Sequence, residues 1–222
     1  MAETDLIINQ PIEDISPFLR PTFFIDSDHE SIASLASELV DMSDPPEARA
    51  EAVFNFVRDD IKYDFGAKVH QHEYVASYVL EQGKGYCVQK AILLCALGRA
   101  ANVPVALVHS NLVDHTLPPA YIKKLGTNVM YSHGLNAFYL DGKFILADAT
   151  LSPDVVGKRG YRKTGFDPGK DNLIPATTPD GSPHAEYLKF HGLFSEFDHE
   201  RMVKKLILHY AIEKQERIAG KG

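Results

Sequence analysis

The sequence lacks the features that mark several classes of protein. No apolar stretch approaches the ~20 residues that a membrane helix requires. The N-terminus has neither the basic start nor the apolar core of a signal peptide. The net charge is −7, and no basic run is interleaved with aromatic residues. These absences predict a cytoplasmic protein that binds neither membranes nor nucleic acid.

Cysteine is scarce, with only two residues in the chain of 222. Cys87 and Cys95 fall in one predicted helix, about 12 Å apart along its axis, which is too far for a disulfide bond. We therefore predict two free thiols. Cys95 lies in an apolar run, and this setting is typical of a small buried residue rather than a reactive one.

Recognisable metal-binding motifs are also missing, because the chain contains neither HExxH nor a paired cysteine motif. The ten histidines still raise the question of a metal site. The candidate ligands are His70, His72, Glu73, His191 and His199. Residues two apart on a helix do not share a face, so His70 and His72 would not converge there. We predict no metal site and no cofactor.

Cys87 stands where a helix is predicted to begin. Gly83 and Gly85 precede it, and a run rich in alanine and leucine follows it. Glycines at this position allow a sharp turn into the helix. The unpaired N–H groups and the positive dipole end of a helix N-terminus favour a thiolate. The pattern therefore predicts a nucleophilic cysteine.

A predicted hairpin supplies two further candidate residues. Residues 132–140 and 144–150 are two short strands around the Asp141-Gly142 turn. His133 begins the first strand and Asp148 ends the second, so the two residues can meet across the open end of the hairpin. Histidine exchanges protons near neutral pH, and a carboxylate fixes its tautomer. Together with Cys87 they would form a nucleophile, a base and a group that orients the base.

These blocks resemble the transglutaminase-like superfamily, in a bacterial branch. Gly85-Tyr86-Cys87, His133 and Asp148-Ala149-Thr150 are similar to its three motif blocks, and the resemblance covers about residues 18–153. It implies an α+β, papain-like fold in which the nucleophile helix packs against an antiparallel sheet. It also implies that Cys87, His133 and Asp148 are a catalytic triad.

The sequence departs from the family pattern after the histidine. Members often carry an aromatic residue, usually Trp, two residues later and an acid soon after, whereas this chain has Leu135 and Asn136 there and contains no Trp. The departure concerns the substrate tunnel and the acyl acceptor. For the oxyanion hole, the backbone N–H of Cys87 is one candidate donor, and Gln82 or Tyr63 the second. The candidate substrate-binding residues are Tyr86, Leu135, Asn136, Tyr161, Arg162 and Phe166.

We predict a single domain over residues 1–222. Its core occupies about residues 18–153, its loop-rich lid or wrap residues 154–197, and its C-terminal helix residues 198–218. Within the core we expect a strand at residues 23–25, helices at 28–40, from 45 and at 73–81, and a strand at 104–110. Residues 114–131 are predicted to be a loop with one helical turn. The 154–197 segment is expected to fold back beside the active site.

The sequence favours an enzyme that attacks an amide carbonyl through a thiol and forms a thioester acyl-enzyme. Hydrolysis of a peptide or glutamine-type amide, as in a protease or amidase, is the favoured outcome. An amine acceptor would instead make it a transglutaminase or acyltransferase. A non-catalytic protein-binding module on the same fold is the third reading. The expected partner is a peptide or protein amide substrate, and the oligomeric state is not predicted.

Overall fold

The computed structural model describes residues 13–66 and 68–210. Its α-helices are α1 (Glu30–Leu39), α2 (Pro46–Asp59), α3 (Ala76–Gln82), α4 (Cys87–Ala100), α5 (Pro119–Leu125), α6 (Pro153–Arg159) and α7 (His199–His209). Its strands are β1 (Lys62–Tyr63), β2 (Lys84–Gly85), β3 (Val105–Asp114), β4 (Val129–Leu140), β5 (Lys143–Ala147) and β6 (Ala185–Phe194). Two short 3-10 helices are Ser16–Phe18 and Gln71–Tyr74.

Four antiparallel strands form the main sheet, in the order β5, β4, β3, β6. β4 and β5 are the predicted hairpin, closed by Asp141 and Gly142 with φ angles of 47° and 77°. Two positive φ angles in a two-residue loop are typical of a type I′ turn, which matches the natural twist of the strands. The Asp-Gly signal in the sequence therefore located this hairpin correctly.

Helix α4 is the centre of the fold. Every residue from Cys87 to Arg99 is buried, because α1, α2 and α3 cover one side of the helix while β3 and β4 cover the other. Most residues of a helix enclosed on all sides are apolar, as they are in α4. This arrangement confirms the predicted α+β fold, with the helix that begins at Cys87 packed against an antiparallel sheet.

The interior around α4 also contains cationic side chains that the sequence pattern did not predict to be buried. Lys90 Nζ donates to the main-chain carbonyl of Ile61 at 2.7 Å, and Arg99 Nη1 donates to that of Arg20 at 2.7 Å. Burial lowers the pKa of Lys90 to about 7. Each of these buried side chains thus has a main-chain carbonyl as its hydrogen-bond partner.

Residues 23–25 were predicted to be a strand, and this was wrong. The segment is a series of bends in which Phe24 and Ile25 are buried and Phe23 is exposed. Its backbone bonds are local or go to the start of α3, where the N–H of Ala76 donates to the carbonyl of Phe24 at 2.9 Å. The apolar character of residues 23–25 therefore reflects the burial of Phe24 and Ile25, and not pairing in a sheet.

Two helix starts also differ from the prediction. Helix α1 is capped by His29, whose Nδ1 accepts the N–H of Ser31 at 3.3 Å, and not by residue 27 or 28. The predicted helix at 73–81 is divided into the 3-10 helix Gln71–Tyr74 and α3. Val75 lies between the two helices with an extended backbone. It is the C-cap of the 3-10 helix and the N-cap of α3.

The segment of residues 154–197 is less irregular than predicted, because it contains most of α6 and all of β6. β6 pairs antiparallel with β3 at the edge of the sheet, and two register shifts interrupt the pairing. Such shifts break the alternation of buried and exposed residues by which a strand is predicted. After β6, α7 begins where expected, with Asp198 as its cap. The predicted end of this helix, residue 218, lies outside the described residues.

None of the helices in the described part of the chain combines the length and apolarity needed to cross a bilayer.

Candidate active site

Cys87 is the first residue of α4, and the turn before it is fixed by several contacts. Gly83 ends α3 in the left-handed conformation, with φ of 62°, which glycine adopts without strain. Gln89 Oε1 accepts the N–H of Tyr86 at 3.2 Å, while Gln89 Nε2 donates to the carbonyl of Glu73 at 2.6 Å. The thiol is therefore held at a helix N-terminus, where N–H groups lack partners within the helix.

His133 lies in β4 at an irregularity of the strand. Ser132, the residue before it, has a φ of 58°, and the pairing of β3 with β4 shifts register close by. Gly134, the residue after it, lies directly against the first turn of α4. A Cβ added at Gly134 would come within 2.6 Å of the Cα of Val88. The strand thus approaches the helix backbone immediately beside both Cys87 and His133.

Asp148 follows the end of β5 and is fully buried. Asn136 pairs with Ala147 in the β4–β5 hairpin. Continuing this register by one residue places Asp148 opposite residue 135. Residues 133 and 135 are on the same face of the strand, so Asp148 and His133 share that face. His133 Nε2 donates to Asp148 Oδ2 at 2.6 Å. The other carboxylate oxygen, Oδ1, accepts the N–H of Thr150 at 3.0 Å.

These contacts change the charge state of the histidine. Burial alone would lower the pKa of His133, but the negative charges of Asp148 and Cys87 and the hydrogen bonds they make raise it to about 10. Burial would also raise the pKa of Asp148, yet the charge and hydrogen bond of His133 outweigh this and lower it. Since Asp148 occupies Nε2, the Nδ1 atom of His133 is the nitrogen that is free to face the thiol.

Two adjoining cavities open at His133. The thiol cavity, of about 70 Å³, is lined by Cys87, Tyr86 and Tyr131 and is covered by Met202 and Leu206 of α7. The main cavity, of about 290 Å³, has a mixed wall, in which Asp114, Asp154, Lys158 and Arg159 accompany apolar residues. Its lining includes Leu112, Leu117, Tyr121, Leu151, Tyr161, Ile174 and His184. Both cavities are bordered by Tyr63, Phe65, Met130 and His133.

The sequence of residues 33–149 matches the profile of the transglutaminase-like superfamily. The match spans more than half of the chain and contains Cys87, His133 and Asp148. The chain belongs to the transglutaminase-like superfamily. The resemblance seen in the three motif blocks is thereby confirmed.

Two solved structures are similar to this chain at low sequence identity. A proposed cysteine protease from Cytophaga hutchinsonii is 20% identical with a TM-score of 0.50, over 85% of this chain and 61% of that one. The chain thus spans about three fifths of that protein. The periplasmic domain of TgpA from Pseudomonas aeruginosa is 18% identical with a TM-score of 0.45, over 66% and 50% of the two chains. A search of the curated proteins finds no match.

Of the two candidate oxyanion donors, only Tyr63 borders the cavities of this transglutaminase-like domain. Gln82 is exposed at the end of α3 and lines neither the thiol cavity nor the main cavity. Burial raises the pKa of Tyr63 well above its ordinary value, and the charges of Cys87 and Asp114 raise it further, so its hydroxyl keeps its proton. Tyr63 is therefore the candidate that can still donate a hydrogen bond.

The candidate substrate-binding residues divide into two groups. Tyr86 lines the thiol cavity and Tyr161 the main cavity. The other four lie elsewhere: Leu135 in a core cluster behind the sheet, Asn136 against α4, Phe166 against Phe54 and Phe138, and Arg162 exposed. Asn136 Nδ2 donates to the carbonyl of Ala91 at 2.9 Å and lies 3.0 Å from Cys95 Sγ. Neither Leu135 nor Asn136 lines the thiol cavity or the main cavity, so the departure from the family pattern falls outside the walls of these two cavities.

Both cysteines are free, as predicted, and both are buried, although burial was predicted only for Cys95. Cys95 is completely buried in the core, and burial raises its pKa to about 11. Of the candidate metal ligands, Glu73 uses its Oε2 to accept the backbone N–H of His70 at 3.0 Å. Within residues 13–66 and 68–210, no group of three His, Cys, Asp or Glu residues has a geometry that could hold a metal ion.

Two residues that shape the site were missed in the sequence. Gly134 was visible as a glycine inside a strand, which often marks a close backbone approach. Tyr187 gave no such signal, because it reaches Asp148 from β6, a strand that was not predicted. Its hydroxyl donates to Asp148 Oδ2 at 2.7 Å.

The close contact at Gly134 leads to a prediction. Gly134→Ala is expected to lower the free energy of unfolding by ~1–3 kcal/mol, because the added methyl group must displace the first turn of α4. The same displacement should separate Cys87 from His133 and slow alkylation of Cys87 by iodoacetamide. Urea denaturation and mass spectrometry would measure the two effects.

The control is Gly157→Ala in α6, where a Cβ meets nothing within 4 Å. Equal behaviour of the two variants would contradict the prediction.

Proposed function

We propose that this transglutaminase-like protein is a cysteine-dependent amide hydrolase, with Cys87 as nucleophile, His133 as proton carrier and Asp148 as the group that orients His133. One observation carries the proposal. Cys87 begins a buried helix and lines the same cavity as His133, whose Nε2 is bonded to a fully buried carboxylate. This set of residue types is the cysteine form of the hydrolytic triad.

The proposed resting state is an ion pair. The charges of Asp148 and Cys87 raise the pKa of His133 to about 10 despite its burial, so the imidazolium and a thiolate at a helix N-terminus stabilise each other. The sulfur attacks the amide carbonyl carbon while the carbonyl oxygen becomes an oxyanion. The backbone N–H of Cys87 and the hydroxyl of Tyr63 are the proposed donors to that oxygen.

Breakdown of this intermediate completes the first half of the reaction. The C–N bond breaks, His133 gives its proton to the departing amine, and a thioester remains on Cys87. Neutral His133 then takes a proton from water, whose oxygen attacks the thioester and releases the acid. We favour water over an amine acceptor because water needs no binding site of its own.

The substrate that we propose is a peptide or a glutamine-type amide lying across the junction of the two cavities at His133. The main cavity, of about 290 Å³, has room for a side chain or a short peptide segment next to the proposed reacting atoms. Because its wall combines apolar residues with Asp114, Asp154, Lys158 and Arg159, it suits a group with both apolar and polar parts. Location in the cytoplasm remains a prediction.

The decisive experiment labels the wild type, Cys87→Ala and Cys95→Ala with iodoacetamide at pH 6, followed by peptide mapping. Rapid labelling at Cys87, retained in Cys95→Ala, is expected. Peptide and glutamine donors are then screened by mass spectrometry with and without a primary amine. Cleavage or deamidation that requires Cys87 supports the hydrolase. An amine adduct would indicate a transferase, and equal labelling of both thiols with no acyl adduct would indicate a binding module.

A further inference from the structure

Tyr187 lies in β6, opposite Leu112 of β3 and outside the residues that match the superfamily profile. Its hydroxyl is placed between two partners. It accepts the N–H of Ile174 at 3.2 Å and lies 2.7 Å from Asp148 Oδ2. Because the amide can only donate, the single phenolic proton of Tyr187 is directed to the carboxylate.

Two aromatic contacts fix the ring of Tyr187. It stacks on Phe190 with a centroid separation of 5.5 Å and an interplanar angle of 6°. It also meets the ring of His133 edge to face at 6.2 Å. Burial raises the pKa of Tyr187 well above its ordinary value, and the Asp148 charge raises it further, so the hydroxyl keeps the proton it donates.

The 154–197 segment, which contains Tyr187, also hydrogen-bonds the backbone of Asp148. The N–H of Asp148 donates to the carbonyl of Asn172 at 2.9 Å, and the N–H of Asn172 donates to the carbonyl of Leu146 at 2.7 Å. Three residues of the 154–197 segment thus support Asp148: Asn172, Ile174 and Tyr187. None of them lies in the superfamily match.

We propose that Tyr187 is a positioning residue that fixes the Asp148 carboxylate against His133 Nε2, and that residues 172–187 are thereby a structural part of the active site. This role rests on the proposed function of the triad. It requires no contact between Tyr187 and the substrate. The carboxylate has donors on both oxygens, with Tyr187 and His133 on Oδ2 and Thr150 on Oδ1. Removing the Tyr187 hydroxyl frees the carboxylate to rotate away from the histidine.

The test is Tyr187→Phe, which keeps the ring packing and removes only the hydroxyl. Proton NMR would follow the low-field signal of the His133 Nε2–H bonded to Asp148. In the wild type this proton should be protected from solvent exchange, and in Tyr187→Phe its signal should broaden or disappear. Alkylation of Cys87 at pH 6 should become about tenfold slower, the effect of losing one hydrogen bond to a charged group. Tyr139→Phe, on the same sheet and not a partner of Asp148, is the matched control.

A double-mutant cycle separates positioning from general loosening of the fold. In an Asp148→Asn background, Tyr187→Phe should slow alkylation no further. A full additional loss there, or an unchanged Nε2–H signal in Tyr187→Phe alone, would overturn the proposal. The NMR readout does not depend on Cys87. If the signal responds while Cys87 reacts no faster than Cys95 in every variant, the positioning contact stands and the proposed hydrolase fails.

Discussion

Replacing His133 with alanine is expected to slow alkylation of Cys87 at pH 6 by a factor of about 10². In the intact site, a histidine with a pKa of about 10 is charged at pH 6 and stabilises the neighbouring thiolate. Without it, Cys87 loses this positive charge; a free cysteine, which titrates near 8.5, is only about one in 300 ionised at pH 6. With an amide substrate, loss of the proton carrier should lower kcat/KM by ~10²–10⁴.

The matched control is His72→Ala, which removes an exposed histidine and one of the metal ligands considered from the sequence. It should leave both rates unchanged. The dependence on pH is informative as well, because the difference between wild type and His133→Ala should shrink as the pH approaches 9, where a free thiol ionises unaided. Equal rates at pH 6 would mean that His133 does not ionise the thiol.

The residues predicted well from the sequence are those whose signals are local. The Asp141-Gly142 turn fixes the hairpin through two positive φ angles, and that register carries His133 and Asp148 to the same side of the ribbon. The start of α4 follows from Gly83 and from the apolar run after Cys87. Turn chemistry and helix periodicity act over a few residues, so a single sequence displays them.

The features that were missed depend on contacts between distant parts of the chain. Tyr187 is 39 positions from Asp148, and the edge strand that carries it has an irregular register. Leu135 and Asn136 were considered for the substrate tunnel because they follow His133, but successive strand residues point to opposite faces and both faces of β4 are covered here. Proximity in sequence to a reactive residue is therefore a poor guide to cavity lining.

Asp148→Asn is expected to lower the free energy of unfolding by ~3 kcal/mol at neutral pH, because it removes one partner of a buried ion pair. The side chains of Asp148 and His133 are 0% and 4% exposed, so water screens their interaction little. Loss of the carboxylate leaves the imidazolium without its nearest opposite charge, and His133 should then give up its proton. Urea denaturation would measure the change. Asp167→Asn, at a surface carboxylate, should leave the stability nearly unchanged.

The pH dependence identifies the source of this stability. The pKa of His133 rises from 6.5 to about 10 on folding, so its contribution is complete below pH 6.5 and is lost as the pH rises through 10. The pKa of Asp148 falls below 3.8, so its contribution is complete above that pH and is lost as the pH falls through the lowered value.

Wild type and Asp148→Asn should therefore differ most between about pH 4 and 6.5 and converge toward pH 10. A difference that stays constant from pH 5 to pH 10 would mean that Asp148 stabilises the fold by shape and hydrogen bonding alone. His133 would then lack the charge that the proposed ion pair with Cys87 requires.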